Sequence, residues 1–185
     1  MKSCFKCQIV IICIFLLFSI CEAQIINVPG DYATIQGALN AAEEGYTVLV
    51  EPGVYKENIR WPNTNGIALI GSGQDKTIID GDKKGSVITF YIWGQNGIDH
   101  TTKIQRLSII NGKSYYDGGG IDCYNVAPYF SDISIYNNYT NRSGAGVKLE
   151  ESDPIFENVT ICNNTALDTG RYRWGDLYIS FKSCF

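Results

Sequence analysis

Short segments in which apolar and polar residues alternate fill the second half of the chain. Residues 121–123, 133–135 and 147–149 each place one polar residue between two apolar residues. Alternation with a period of two is typical of a β-strand that buries one face. Glycine, asparagine, aspartate and proline separate these segments, as tight turns require. The pattern predicts many short strands joined by sharp corners.

The alternating segments recur at a fixed offset, from position i to position i+26. Residues 119–123 (GGIDC) align with residues 145–149 (AGVKL), and the same offset holds along both copies. A strand this short cannot bury its apolar face alone, whereas stacked copies bury it continuously and pair in parallel. The offset predicts a parallel β-helix with regular 26-residue coils from about residue 104. Further pairs at this offset are Pro128 with Pro154, Phe130 with Phe156, Ile133 with Val159, Ile135 with Ile161, Asn137 with Asn163 and Asn138 with Asn164.

Other repeat architectures fit the pattern less well. A leucine-rich repeat needs leucines at fixed spacing and usually a helix in each repeat, and a propeller blade needs four antiparallel strands in about 40 residues. Neither pattern is present. Parallel crossover connections are almost always right-handed. The predicted fold class is therefore all-β, a right-handed parallel β-helix (solenoid).

A different periodicity precedes the repeats. Four apolar residues at positions i, i+3, i+4 and i+7 predict an amphipathic helix over about residues 34–44, with Asp31 or Thr34 as its N-cap and Gly45 just beyond its end. Such a helix can cover the open end of the coil and shield the core and the exposed strand edge. The sequence thus predicts an N-terminal amphipathic capping helix. Its apolar residues are Ile35, Ala38, Leu39 and Ala42.

Residues 1–23 have the features of a cleavable export signal. Lys2 and Lys6 precede an apolar run at residues 9–20, and residues 21–23 (CEA) fit a signal-peptidase site. The apolar run is too short to cross a bilayer of roughly 30 Å. The sequence predicts a signal peptide at 1–23, a β-helix domain at 24–185 with no membrane span, and a secreted, extracellular or cell-surface location.

The charge of the chain limits its possible partners. After the predicted signal, 13 basic and 18 acidic residues remain, with no basic cluster. Proteins that bind nucleic acid usually show a basic patch, so no nucleic-acid partner is expected.

Three cysteines also remain after the predicted signal, Cys123, Cys162 and Cys184, and they cannot all pair with one another. They are expected to be small buried hydrophobic residues, with one disulfide as the alternative.

The carboxyl end is expected to continue the coil. Residues 177–181 (LYISF) are predicted to be the first strand of another coil, equivalent to residues 121–123. Nothing after them resembles a cap, and natural repeat proteins avoid an open end. The chain is therefore predicted to be the N-terminal part of a longer protein.

Three segments resemble the start of the pectin lyase-like superfamily. They are residues 28–36 (VPGDYATIQ), 50–59 (VEPGVYKENI) and 77–81 (TIIDG), and the later GGGI repeats resemble the generic coils of that superfamily. The resemblance covers nearly all of the chain after the signal and implies a right-handed parallel β-helix. It leaves the activity open, because the superfamily holds lyases, methylesterases, polygalacturonases and epimerases. The catalytic pattern of pectin methylesterases is absent from residues 120–132.

One pair of outward residues offers candidate chemistry. Asp122 and Lys148 are one repeat apart and should stack in one column, with Glu150 beside them. Polysaccharide lyases need a cation, often Ca²⁺, and a base that is commonly arginine or lysine. Lys148 and Asp122 are thus weak catalytic candidates. The competing interpretation is a surface ion pair worth roughly 0–1 kcal/mol. Asp117, Asp122 and Glu150 do not assemble a clear metal site. Ca²⁺ is therefore expected only if the protein is a lyase.

Other polar and aromatic columns have mainly structural interpretations. Tyr124 and Glu150 are weak candidates for carbohydrate binding, since tyrosine can stack on sugars but also favours half-buried strand positions. Arg106, Asp132 and Asn158 form a second outward column. Stacked corner asparagines are expected to hydrogen-bond one another and the turn backbone. His100 is expected to be exposed. The asparagine column comprises Asn111, Asn137 and Asn163.

Two functions follow from these observations. The first is a secreted β-helix repeat protein that binds polysaccharide or displays a surface for cell-surface interaction. The second is a pectate lyase-like enzyme acting on an acidic glycan. An enzyme should carry arginine, lysine and carboxylates on adjacent strands, and the sequence shows only the pair Asp122 and Lys148.

Overall fold

The computed structural model describes residues 24–91, 97–116, 118–167 and the backbone of 177–179. This part of the chain contains sixteen β-strands and one α-helix, α1, and no helix long and apolar enough to span a bilayer. The predicted signal peptide lies outside it. The elements are β1 Ile25–Val28, α1 Ile35–Ala41, β2 Thr47–Val50, β3 Gly53–Lys56, β4 Ile59–Arg60, β5 Ala68–Ile70, β6 Thr77–Asp80, β7 Ile88–Tyr91, β8 Lys103–Ile110, β9 Lys113–Ser114, β10 Ile121–Tyr124, β11 Tyr129–Tyr136, β12 Tyr139–Thr140, β13 Val147–Glu150, β14 Ile155–Cys162, β15 Thr165–Ala166 and β16 Leu177–Ile179.

The strands form three sheets that run along a solenoid of about five turns. Sheet A contains β1, β2, β5, β8, β11 and β14 in that order, with β3 and β6 beside this path. Sheet B has the order β4, β7, β10, β13 and β16, and sheet C has the order β9, β12 and β15. Nearly every pairing is parallel and joins equivalent strands of successive coils. The parallel β-solenoid predicted from the repeat is confirmed.

The repeat offset is the register of the regular coils. Ile121 pairs with Val147 and Phe130 pairs with Phe156. The long strands β8, β11 and β14 each contain one residue with positive φ, where the strand bends without pairing. In the preceding coil two strands take this place, since β5 pairs with the first half of β8 and β6 pairs with its second half. The bend residues are Arg106, Asp132 and Asn158.

Side chains that point into the coil form one continuous apolar core. Aromatic rings stack along it from coil to coil: Trp61 on Phe90 with ring centroids 4.9 Å apart, and Phe130 on Phe156 at 5.1 Å. Phe90 meets Phe130 edge to face at 6.1 Å. Stacking of equivalent residues is what in-register parallel strands produce. The aromatic column therefore ties successive coils together across the core.

The asparagine ladder lies one residue away from its predicted position. Asn138 and Asn164 are buried, and each side-chain Oδ1 accepts a hydrogen bond from a backbone N–H of the previous coil, at Gly112 and Asn138, at 2.8 and 2.9 Å. Their Nδ2 groups donate to the carbonyls of Ile109 and Ile135. The predicted column instead occupies left-handed corner positions whose side chains are half-buried or exposed. It comprises Asn111, Asn137 and Asn163, with φ of 55°, 57° and 52°.

Glycine replaces the ladder asparagine in the first regular coil. A Cβ on Gly112 would lie 1.9 Å from the carbonyl oxygen of Gly119, far inside van der Waals contact. The backbone therefore approaches too closely at this corner for any other residue. From the next coil onwards there is room for asparagine, and its side chain satisfies the corner backbone.

Helix α1 packs against β1, β2 and β4 near the amino-terminal coils. Its apolar face is fully buried, and Thr34 is its N-cap, accepting a hydrogen bond from the backbone N–H of Gly37 at 3.1 Å. A second acceptor comes from the next coil: the carboxylate of Glu57 accepts from the backbone N–H groups of Ile35 and Gln36 at 2.8 and 2.9 Å. Glu57 thus anchors the start of the helix to the solenoid.

Substituting this anchor should weaken the amino-terminal coils. In Glu57→Gln one carboxylate oxygen becomes an NH₂ group that opposes a helix N–H, so we expect the free energy of unfolding to fall by about 1–2 kcal/mol. Urea denaturation measures the change. Glu43→Gln alters an exposed carboxylate just after the helix and should change stability by less than about 0.5 kcal/mol. Equal stability of the two variants would contradict the anchoring role.

The orientation of the last described strand, β16, differs from the prediction. β16 pairs with β13 in antiparallel orientation, with Val147 opposite Ile179, so the prediction of a further parallel coil at this position is wrong. Cys162 is disulfide-bonded, which fits the alternative of one bridge and differs from the expectation of a free buried cysteine at this position. Cys123 is buried and unbridged, as expected of a small hydrophobic residue.

Candidate functional site

The outward face of sheet B carries the residues singled out by the sequence. Alternate residues of its strands point away from the core and stack in two columns. Asp122 pairs with Lys148, and Tyr124 pairs with Glu150, so all four weak candidates lie on this one face. Upstream strands extend both columns. The first column comprises Arg60, Thr89, Asp122 and Lys148, and the second comprises Tyr91, Tyr124 and Glu150.

A pocket lies at the β4 and β7 end of this face. It has a volume of about 540 Å³, within the range of about 300–1,000 Å³ that is typical of small-ligand sites. Helix α1 forms one wall through amide side chains, and the strands form the other with a cation and aromatic rings. The lining residues include Gln36, Asn40, Arg60, Trp61, Pro62 and Tyr91.

Aromatic and cationic groups converge in the pocket. Tyr91 is 38% exposed and stacks on Tyr124 of the next strand with ring centroids 5.2 Å apart. Arg60 is exposed, and its strand is fixed to the helix because its backbone N–H donates to Gln36 Oε1 at 2.8 Å and its carbonyl accepts from Gln36 Nε2 at 3.0 Å. The strands and the helix therefore place a tyrosine and an arginine in the lining of one pocket at the solvent boundary.

Trp61 also lines the pocket, and its indole, which stacks on Phe90 in the core, carries a buried N–H donor. Trp61 is 3% exposed, and within the described residues its Nε1–H has no hydrogen-bond partner. Leaving such a buried donor unpaired costs about 1–3 kcal/mol. The donor is covered, so a ligand in the pocket reaches it only if the pocket wall moves.

The opposite end of the face is an ion-paired cluster. Lys148 Nζ lies 2.8 Å from Glu150 Oε2 and 3.8 Å from Asp122 Oδ1, and only 13% of the Lys148 side chain is exposed. The predicted stacking of Asp122 over Lys148 is thus present, with Glu150 as the closer partner. An ammonium group held by two carboxylates and largely covered has little access to a substrate. The cluster has the geometry of a structural ion triad.

Other residues considered from the sequence lie apart from this face. Asn158 donates to Asp132 on sheet A, within the bend column that also contains Arg106. His100 is exposed and its Nε2 lies 2.9 Å from the carbonyl oxygen of Asp153. Asp117 lies outside the described residues. Within the described ranges, no group of three histidine, cysteine, aspartate or glutamate side chains could hold a metal ion.

Cys123 has no accessible nucleophilic chemistry. Its side chain points into the core between Phe90 and Leu149 in the strand register. Burial, with a smaller contribution from the charge of Asp122, raises the pKa of the thiol well above its usual value. Reactive cysteines need a lowered pKa and partial exposure. Cys123 is therefore a packing residue.

The pocket residues escaped the sequence analysis because the first coils are irregular. Ile59 pairs with Ile88, and Ile88 pairs with Ile121, so both of these coils are longer than the regular repeat. The constant offset of the later coils therefore does not reach the pocket. The available signal was the local alternation of Phe90 between Thr89 and Tyr91, which places Tyr91 outward.

Comparison with known proteins gives one partial similarity. No family model matches the chain. A segment of 61 residues is 44% identical to the Arabidopsis thaliana protein described as "Putative pectinesterase/pectinesterase inhibitor 38"; it covers 29% of this chain and 13% of that protein. This chain thus matches much less than two thirds of its relative. Together with the parallel β-solenoid, this distant similarity fits the resemblance to pectin lyase-like proteins.

Proposed function

We propose that this protein is exported and binds polysaccharide, with pectin as the candidate ligand, along the outward face of sheet B. The observation that carries the proposal is the pocket that exposed Tyr91 and Arg60 both line. The aromatic column of Tyr91 and Tyr124 leads out of this pocket along the solenoid axis. A glycan chain lying parallel to the axis would meet one new strand about every 4.8 Å.

The groups in the pocket match the chemistry of a sugar chain. A sugar ring offers an apolar C–H face to an aromatic side chain and hydroxyl groups to hydrogen-bonding side chains. Tyr91 and Pro62 supply apolar surface, Asn40 supplies an amide, and the Arg60 guanidinium can donate to a uronate carboxylate or to a hydroxyl oxygen. The partial similarity to a protein named as a pectinesterase favours pectin among polysaccharides.

A pectate lyase-like activity is the alternative proposal. The specific observation in its favour is the stacking of Asp122, Lys148 and Glu150 on the same face as the pocket. In that case Lys148 would be the base, and Ca²⁺ would be required to neutralise the uronate. The coverage of Lys148 by two carboxylates favours binding without cleavage.

One experiment separates the two functions. The protein is incubated with pectin oligosaccharides of high and low methyl esterification, with and without Ca²⁺, while binding is followed by calorimetry and unsaturated products by ultraviolet absorbance. Binding without product is expected. Calcium-dependent product that disappears in Lys148→Met would establish the lyase, and neither binding nor product on any oligosaccharide would overturn both proposals.

The indole donor gives a finer test of the pocket. Trp61→Phe keeps an aromatic ring against Phe90 and removes part of the indole ring together with its Nε1–H group. We expect an affinity for pectin oligosaccharides about threefold to tenfold weaker, as for one lost hydrogen bond. Calorimetry on both proteins measures the ratio. Undiminished affinity would show that the ligand does not use this donor.

Two features of the fold belong to the same proposal. We propose a right-handed coil, because parallel crossover connections are right-handed in nearly all proteins. We also propose that α1 covers the amino-terminal end of the core, which its buried face and its contacts with β1 and β2 support. A crystal structure determined by experimental phasing would test both features.

A further inference from the structure

A second groove runs along the solenoid at the corner between sheets A and C. It has a volume of about 410 Å³ and spans successive coils. Two outward columns border it. One is the left-handed corner column of Asn111, Asn137 and Asn163, and the other is the strand column of Lys113, Tyr139 and Thr165.

The backbone explains why both columns face outward. The corner asparagines have φ between 52° and 57°, and the strand column begins two residues later in each coil. The residue between them points inward, where Asn138 and Asn164 form the buried ladder. The ladder fixes the floor of the groove, so the amides of the corner column are presented at the coil spacing of about 4.8 Å.

The groove is cationic at one end. Lys83 and Lys113 line it, and among its described lining residues there is no carboxylate. Lys113 Nζ lies 5.5 Å from the centroid of the Tyr139 ring, a cation–π contact that holds the ammonium over the floor. Lys83 lies in the preceding coil, where its backbone N–H donates to the Asn111 carbonyl at 2.9 Å.

Neighbouring carboxylates have other partners. Asp80 Oδ2 accepts from Asn111 Nδ2 at 3.1 Å, and Asp80 Oδ1 accepts from the backbone N–H of Asp82. The Asp82 side chain pairs with Lys84 at 2.8 Å and with Lys56 at 3.6 Å. Lys83 and Lys113 take part in no ion pair among the described residues. Among the described residues, therefore, no carboxylate neutralises the two charges that line the groove.

From this geometry we infer a second glycan site at this corner, one that takes an acidic oligosaccharide through its carboxylate groups. Lys83 and Lys113 bind carboxylates, and the asparagine amides bind hydroxyl groups of successive sugars. The site is separate from the face of sheet B and does not depend on the proposed function there. Its binding should weaken with salt, because exposed charges are screened.

Paired lysine variants test the second site. Asn163 begins an N-x-Thr glycosylation sequence, so the protein is produced in the bacterial periplasm, where no glycan is attached to it. It is titrated with de-esterified oligogalacturonate and with its methyl ester, without Ca²⁺ and at low and physiological salt. Lys83→Ala/Lys113→Ala should bind the acidic oligosaccharide about tenfold or more weakly and the methyl ester unchanged.

The control is Lys76→Ala, which removes an exposed lysine outside the groove. Three results would overturn the second site. Lys76→Ala and the double variant could lose equal affinity, the double variant could bind the acidic oligosaccharide as tightly as the original protein does, or the original protein could fail to bind it. Failure of the sheet B proposal has a different signature. In that case the methyl ester does not bind, while the lysine-dependent binding of the acid remains.

Discussion

Replacing Asn138 by alanine is expected to lower the free energy of unfolding by about 2–5 kcal/mol, because two buried backbone groups lose their partners and each such group costs about 1–3 kcal/mol. The side chain is 1% exposed and bonds three groups in neighbouring coils. Its removal leaves the N–H of Gly112 and the carbonyl of Ile109 without the amide that satisfies them. Urea denaturation followed by circular dichroism measures the loss.

The adjacent asparagine provides the matched control. Asn137 has φ of 57° and an exposed side chain, so Asn137→Gly keeps the left-handed corner and should change stability by less than about 1 kcal/mol. If the two variants unfolded at the same urea concentration, the buried ladder would not be the element that holds the corners.

The largest functional effect is expected at Tyr91. Tyr91→Ala removes the ring that lines the sheet B pocket and stacks on Tyr124, and we expect the affinity for methyl-esterified pectin oligosaccharide to fall about tenfold or more. The exposed position of Tyr91 means that folding should be little affected. Calorimetric titration gives the affinity, and thermal unfolding checks the fold.

Two further variants make this result specific. Tyr91→Phe retains the ring and should retain most of the affinity. Tyr115→Ala removes a tyrosine that is 72% exposed and does not line the pocket, and it should bind like the original protein. Loss of affinity in Tyr115→Ala equal to that in Tyr91→Ala would indicate a nonspecific effect of removing surface aromatics.

The regular coils could be predicted because one rule governs them. Equivalent residues pair at a constant offset, as Ile121 does with Val147, and the inward positions are apolar in each copy. Strand existence, parallel pairing and the outward stacking of Asp122 over Lys148 all follow from that offset. The same rule could not reach Arg60 and Tyr91, because loops of different length separate their coils from the repeats.

Two errors show what periodicity leaves open. Asn137 and Asn138 are adjacent and both recur, so the repeat alone does not say which one turns inward; the positive φ of Asn137 decides it. Alternation in Leu177–Ile179 is the same for a parallel and an antiparallel strand, and the pairing with β13 is antiparallel. In both cases the backbone geometry, which the alternation does not encode, sets the outcome.

The most direct test of the central claim is a titration of isotope-labelled protein with methyl-esterified pectin oligosaccharide, followed by backbone amide chemical shifts. Shifts that saturate together at Arg60, Thr89, Tyr91 and Tyr124 are predicted, because these residues share the outward face of sheet B. Saturable binding that leaves the chemical shifts of all four amides unchanged, and changes only those of residues in sheets A or C, would contradict binding along sheet B.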